Sequence, residues 1–213
     1  MQSGGIILCG GRSTRMGVPK ATLPFGPETM LARVVRLLSK TVPRVVVVAA
    51  PEQELPPLPG SVAITRDRRE GRGPLEGLAA GLAAAQEAGI EAAYVTSCDV
   101  PLLFPRFVER MFDLLGEHEI AVPREGEFHH PLAAVYRVSV LPVVERLLSE
   151  NRMRPFFLFQ ECDTREVAPA EWQDVDPDSA TLANLNRPED YLSALATAGL
   201  EAPEDIIGRL GQG

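Results

Sequence analysis

The sequence predicts a single α/β domain, a three-layer α/β/α sandwich around a mostly parallel central sheet. Three observations predict it. Apolar runs without alternation recur at Gly5 to Cys9, Arg44 to Ala50 and Ala92 to Ser97, the pattern of strands buried on both faces. Stretches with helical spacing of apolar residues separate them. At 213 residues the chain is long enough for one sizeable core and too short for two ordinary domains with a linker. The domain is expected to cover 1–200, with 201–213 as a C-terminal tail.

Taken in order, Glu28 to Lys40 carries Met30, Val34, Leu37 and Leu38 at helical spacing with Thr29 near its start, which completes a strand–helix–strand unit. Ser61 to Arg66 reads as a further strand. Pro74 to Ala88 is rich in alanine and leucine, with Pro74 suited to a first helical turn and Gly89 to a stop. A helix is expected from about Pro105. Ile120 to Pro123 and Leu132 to Tyr136 read as strands, and Ser139 to Ser149 and Pro188 to Ala196 as helices. The proline and acidic residues of 168–178 predict a surface loop containing Trp172, whose role is packing or surface rather than stacking on a base. Ile206, Ile207 and Leu210 fall at helical spacing before a Gly-Gln-Gly end expected to fray. In such a fold ligands bind beyond the carboxyl ends of the strands. Gly10 to Lys20, Asp67 to Gly73 and Cys98 to Pro101 occupy those ends.

Composition excludes several classes of function. A net charge of −8 argues against broad nucleic-acid or membrane-surface binding, since such partners select a basic face. Three cysteines without Cys-x-x-Cys spacing imply neither a disulfide framework nor a zinc site, and point to a reducing compartment. No apolar segment approaches the length that spans a bilayer, so the expected location is the cytoplasm. Any phosphate chemistry must then use locally concentrated cations. Arg12, Arg15, Lys20, Arg66, Arg68, Arg69 and Arg72 supply these in two short stretches.

The most informative segment is Leu8-Cys9-Gly10-Gly11-Arg12-Ser13-Thr14-Arg15-Met16-Gly17-Val18-Pro19-Lys20. A glycine-rich basic loop leaving a buried strand offers backbone N–H groups and positive charge to a polyphosphate. Its spacing is neither Gly-x-Gly-x-x-Gly nor the P-loop. The alternative is a solvated turn.

This loop resembles the signature of nucleotidyltransferases that activate a phosphorylated acceptor with a nucleoside triphosphate, most closely the molybdenum cofactor guanylyltransferases. Four further segments match in the same order: Asp67 to Gly77, Ser97-Cys98-Asp99-Val100-Pro101, His130-Pro131-Leu132, and Asn184-Leu185-Asn186-Arg187-Pro188-Glu189-Asp190. The resemblance implies a Rossmann-like nucleotidyltransferase fold, GTP and molybdopterin as substrates, Mg²⁺ as cofactor, and molybdoenzymes or other cofactor-biosynthesis proteins as partners. It places Leu8, Cys9, Gly10, Gly11, Arg12, Ser13, Thr14, Lys20, Asp67, Gly77 and Asp99 around the nucleotide. As catalytic residues it implies Lys20, which would neutralise charge at the α-phosphate, Arg15, which would contact the β- and γ-phosphates, and Asp99. The resemblance also places His130 and Asn186 on the acceptor side, and Asp99 with Asn186 at the metal.

Each assignment has a plainer counterpart. Asp99 follows a strand and could cap the helix near Pro105; Asp67 could pair with Arg68 or Arg69; Asn186 or Arg187 could cap the helix that starts at Pro188. Neighbouring His129 and His130 cannot both face one ion, because adjacent strand residues point to opposite faces. No histidine lies near Cys9 or Cys98 to activate a thiolate, and both read as small buried residues. The family also carries an Asn soon after the second strand, where this chain has Val48-Ala49-Ala50-Pro51. The alternatives are a cytidylyltransferase or other transferase acting on molybdopterin or a sugar or polyol phosphate, and, of a different class, a non-catalytic nucleotide sensor or cofactor carrier.

Overall fold

The four consecutive valines of 45–48 leave no polar side chain for a solvent face, so their strand has to lie inside a sheet covered on both sides. The computed structural model describes residues 1–10, 16–67 and 72–210, and all five residues of that strand are buried in it. The strands are β1 (Ser3–Leu8), β2 (Pro24–Phe25), β3 (Glu28–Thr29), β4 (Val45–Ala49), β5 (Val62–Arg66), β6 (Ala92–Ser97), β7 (Ile120–Glu125), β8 (Phe128–His129), β9 (Ala134–Arg137) and β10 (Thr164–Val167). The helices are α1 (Met30–Leu38), α2 (Pro74–Glu87), α3 (Pro105–Leu115), α4 (Leu141–Ser149), α5 (Pro155–Glu161), α6 (Pro188–Thr197) and α7 (Glu204–Ile207).

The main sheet runs β10-β7-β9-β6-β1-β4-β5, with β8 paired to β7. β1 pairs parallel with β4 and β6, β4 pairs parallel with β5, and β10 pairs parallel with β7, while β9 runs antiparallel between β6 and β7. Helices α1 and α3 cover one face and α2, α4 and α5 the other, each face with its own buried cluster. From β1 the chain builds outward through β4 to β5, then returns to the opposite side of β1 as β6. The order therefore reverses between β1 and β6, and the crevice beyond their carboxyl ends is where a doubly wound sheet accepts a ligand. The register pairs Leu8 with Ser97, so Cys9-Gly10 and Cys98-Asp99 emerge side by side at that crevice.

A third cluster fixes the segment that carries Lys20. Met16, Val18, Leu23, Phe25 and Met30 are buried against Leu185, Tyr191, Ala194, Leu195 and Ile206. Tyr191 meets Phe25 edge-on at 6.5 Å between ring centroids, and its hydroxyl donates to the Pro24 carbonyl at 2.5 Å. The short Lys20–Thr22 turn is thus clamped between packed residues on either side.

The structure departs from the sequence expectation in three places. The 168–178 stretch runs over the surface as expected, but it is pinned at two points: Trp172, read as packing or surface, is fully buried edge-on against Phe107, and the buried Asp176 carboxylate accepts the N–H groups of Ala180 and Thr181. Apolar anchoring of one residue and local hydrogen bonding of another hold a stretch whose composition is polar. Helix α5 and strand β10 carry no clear period in the sequence; Pro155 starts the former, and the latter is a four-residue edge strand bearing Arg165 and Glu166. In the tail, Ile206 is buried and Ile207 exposed, and the Gly-Gln-Gly end lies outside the described residues.

Candidate active site

The crevice opens into a cavity of about 510 Å³ lined by the carboxyl ends of β1, β4 and β6, the N-terminus of α2 and the segment leading into α6. Of the nucleotide-site residues expected from sequence, Leu8, Cys9, Gly10, Lys20, Asp67, Gly77 and Asp99 all line it, as does Asn186. Gly11, Arg12, Ser13, Thr14 and Arg15 lie outside the described residues, as do Arg68 and Arg69.

Its centre is a lysine held between two oxygens. Lys20 Nζ donates to Asp99 Oδ2 at 2.7 Å and to Asn186 Oδ1 at 2.9 Å, joining residues 79 and 166 positions apart. Asp99 is 9 % exposed, and its second oxygen, Oδ1, accepts from the Ser97 hydroxyl. It does not cap α3: the first residue ahead of that helix, Phe104, donates its N–H to Thr181 Oγ1 instead. Asn186 is delivered by the start of α6, where Asp190 accepts the backbone N–H groups of Asn186 and Arg187, leaving the Asn186 side chain for Lys20. The backbone N–H of Leu185 donates to the Asp99 carbonyl and ties this turn to the end of β6.

Asp67 forms the wall beside Gly10. A Cβ on Gly10 would sit 2.8 Å from Asp67 Oδ2, so glycine permits this close approach of β1's end to the acid. Among the described residues, Asp67 Oδ1 is buried without a hydrogen-bond partner. Burial, and then the nearby Glu76 carboxylate, push its pKa up to about 6. Because the folded protein holds this proton more tightly than the unfolded chain, the stabilisation it brings is complete below the ordinary carboxylate range and is lost as pH rises towards 6. Asp67→Asn is therefore expected to match the parent near pH 3.5 and to be more stable above pH 6 by about 1 kcal/mol after allowing for solvent screening, as urea unfolding at the two pH values will show.

The other expected residues sort as follows. Gly73, at φ +76°, turns the chain into α2, and Pro74 and Gly77 bring the first turn of that helix to the cavity. A 14-residue helix presents unpaired N–H groups and positive potential there. Arg72 also reaches the lining, although its guanidinium donates to the Leu148 carbonyl at 2.8 Å. Arg66 is spent on structure, donating to the carbonyls of Ala50, Pro51 and Gln53. His130 is absent from the cavity lining; its Nε2 lies 3.0 Å from Glu125, while His129 pairs with Glu166. Cys9 and Cys98 are both buried at the cavity floor. The Cys98 thiol, burial and the Asp99 carboxylate push the Cys9 thiol well above its ordinary range, the opposite of what a nucleophile needs.

Ser97, Leu132, Asn184, Val48 and Ala50 also line the cavity; they stand within the matched segments or at the family's missing Asn, without a site role assigned from sequence. Ser97 was within reach of sequence reading, two residues before Asp99 and on the same face of the strand end. Val48 and Ala50 stand on the segment where the resemblance led to an Asn.

The exposed donors are oxygen atoms, from Asp99, Asn186 and Asp67, a set that suits a hard divalent cation alongside phosphate oxygens. An oxygen-lined floor, an ammonium, and a helix N-terminus at one cavity can bind a triphosphate and compensate charge on it.

The chain is similar to known proteins in sequence and in fold. The chain is 39 % identical over 202 residues to the probable molybdenum cofactor guanylyltransferase of Mycobacterium avium (strain 104), covering 93 % of this chain and 97 % of that one. Its fold is similar to that of molybdopterin-guanine dinucleotide biosynthesis protein A from Archaeoglobus fulgidus, with TM-score 0.75, 19 % identity, and coverage of 92 % of this chain and 98 % of that one. It is also similar to a Mycobacterium tuberculosis H37Rv protein crystallised in complex with manganese, with TM-score 0.57, 19 % identity, and coverage of 79 % and 88 %. The model of the MobA-like NTP transferase domain matches residues 5–164, from β1 through β9 to the first residue of β10, and the floor of the cavity with them, and the chain belongs to that family.

Proposed function

We propose that the protein transfers GMP from GTP to the terminal phosphate of molybdopterin and releases pyrophosphate. An acceptor phosphate oxygen attacks the α-phosphorus, the α–β phosphoanhydride bond breaks, and its electron pair leaves on pyrophosphate. No protein nucleophile is required, because a phosphate monoester is already ionised near neutral pH; catalysis reduces to alignment and charge compensation. The observation that carries this reading is the Lys20–Asp99–Asn186 contact at the switch point of the sheet, together with the similarity to a probable guanylyltransferase over most of both chains.

Lys20 supplies the positive charge for the α-phosphate, and the N-terminus of α2 together with Gly10 supplies N–H groups for the phosphate oxygens. Asp99 and Asn186 would hold Mg²⁺, which when bound neutralises charge on the triphosphate and pyrophosphate; a fold relative crystallised with manganese supports a divalent ion of this kind. Asp67 borders the nucleotide. His130 serves the acceptor side at one remove, its turn fixed by Glu125 and by the Ala133 N–H to its carbonyl, so that Leu132 faces the cavity. A cytoplasmic setting and delivery of the product to molybdoenzymes or to other cofactor-biosynthesis proteins complete the reading.

The test is pyrophosphate release with each of the four ribonucleoside triphosphates and Mg²⁺, with and without molybdopterin. Release with GTP that requires molybdopterin is expected. Preference for CTP would assign the chain to cytidylyl transfer, a result for which Val48 and Ala50, in place of the family's Asn, leave room. Nucleotide binding without release in any combination would favour a sensor or carrier.

A further inference from the structure

The two oxygens that suit a divalent cation are the same two that grip Lys20. Asp99 Oδ2 and Asn186 Oδ1 lie 2.7 and 2.9 Å from its ammonium, while Asp99 Oδ1 is engaged by Ser97. A divalent ion bound through Asp99 Oδ2 and Asn186 Oδ1 cannot share that position with an ammonium, since both the space and the like charge forbid it. We propose that Lys20 is a resident cation that exchanges with the divalent metal on Asp99 Oδ2, leaving for the phosphates as the metal arrives. The inference rests on the reading of Asp99 as a metal ligand.

Three features fit an exchange. The backbone of Lys20 is anchored, with Met16, Val18, Leu23 and Phe25 buried on either side, so movement is confined to a four-carbon stem. Ser97 keeps Oδ1 occupied, which leaves Oδ2 as the oxygen for which the cations compete. The chain also meets its 21 cationic positions with 19 arginines and places one of its two lysines here, the other being the exposed Lys40. A compact ammonium can be traded for a metal ion between two oxygens, whereas a guanidinium fork cannot. The consequence is that without nucleotide the ammonium suppresses metal binding, so that metal and triphosphate load together.

The experiment measures Mn²⁺ affinity of the whole protein by electron paramagnetic resonance without nucleotide, in the parent, Lys20→Met, and Lys20→Met combined with Asp99→Asn. Lys20→Met is expected to bind Mn²⁺ about tenfold more tightly than the parent, the scale of one charge-assisted hydrogen bond removed from competition. Adding Asp99→Asn abolishes the gain. On the unmodified protein, acylation of Lys20 relative to Lys40, read by mass spectrometry, rises several-fold when Mn²⁺ is added; this readout stands even if a variant folds poorly. Equal affinities and an unchanged labelling ratio, with binding still dependent on Asp99, would overturn the exchange and leave Asp99 as a ligand. Binding that is absent throughout, or indifferent to Asp99, would remove the metal reading and the exchange together.

Discussion

Asp99→Ala is expected to lower kcat for pyrophosphate release about a thousandfold, the scale on which a preorganised charge at a reacting phosphate acts. The loss is expected in kcat rather than KM, because the charge that a metal on Asp99 would compensate grows as the α–β bond breaks, and interactions made chiefly in the transition state are read in kcat. The fold should survive. Asp99 does not cap α3, since Phe104 N–H goes to Thr181. The Lys20 ammonium released by the substitution keeps Asn186 Oδ1 and faces a cavity open to solvent. A loss of unfolding free energy of about 1–3 kcal/mol is therefore expected, small enough to leave the fold intact. Circular dichroism and a urea titration on the same preparation separate the two effects. A variant that retains a tenth or more of the parent kcat would show that Asp99 does not hold the metal.

That Asp99 was visible at all in the sequence follows from its place in the fold. Runs such as those of β1, β4 and β6 are buried on both faces, so their apolar continuity is a local property, and what emerges at their carboxyl ends can be read off the next residues. Cys9-Gly10 and Cys98-Asp99 were legible for that reason. The partners of Asp99 were less so. Ser97 is a nearest neighbour on the strand but a common residue, and only its contact marks it. Asn186 reaches Lys20 across 166 positions, through a turn set by Asp190 and a satellite core in which Tyr191 meets Phe25. Such a juxtaposition has no local period. The same holds for β9, which slips antiparallel between β6 and β7, and for Trp172 and Asp176. Their burial depends on Phe107 of α3 and on the N–H groups of Ala180 and Thr181, rather than on their own polar neighbourhood. His130 shows the converse: its sequence neighbourhood matches a motif, while its side chain is committed to Glu125 outside the cavity lining.

Lys20→Arg keeps the charge and is nevertheless expected to lower kcat about a hundredfold, with KM for the nucleotide changed by no more than a few-fold. Charge alone attracts a triphosphate, and an arginine here still provides it. Placement is another matter. The parent ammonium fits between Asp99 Oδ2 and Asn186 Oδ1 as a single atom, at 2.7 and 2.9 Å, and both oxygens sit on backbone that cannot easily give way: Asp99 is tied through its carbonyl to Leu185, and Asn186 through its N–H to Asp190. A planar guanidinium needs width in one direction and brings its charge to rest further along the side chain. It must either push Asn186 aside or lie out in the cavity, and once the metal takes Asp99 Oδ2 it meets the α-phosphate from a longer side chain and a wider head than the ammonium that leaves the slot, where an ångström of misplacement is enough to cost about two powers of ten. Steady-state kinetics with GTP and molybdopterin distinguish this from a pure charge requirement. Restoration of kcat by arginine to within a few-fold of the parent would mean that any cation serves at position 20, and that the compact size of the ammonium has no part in the chemistry.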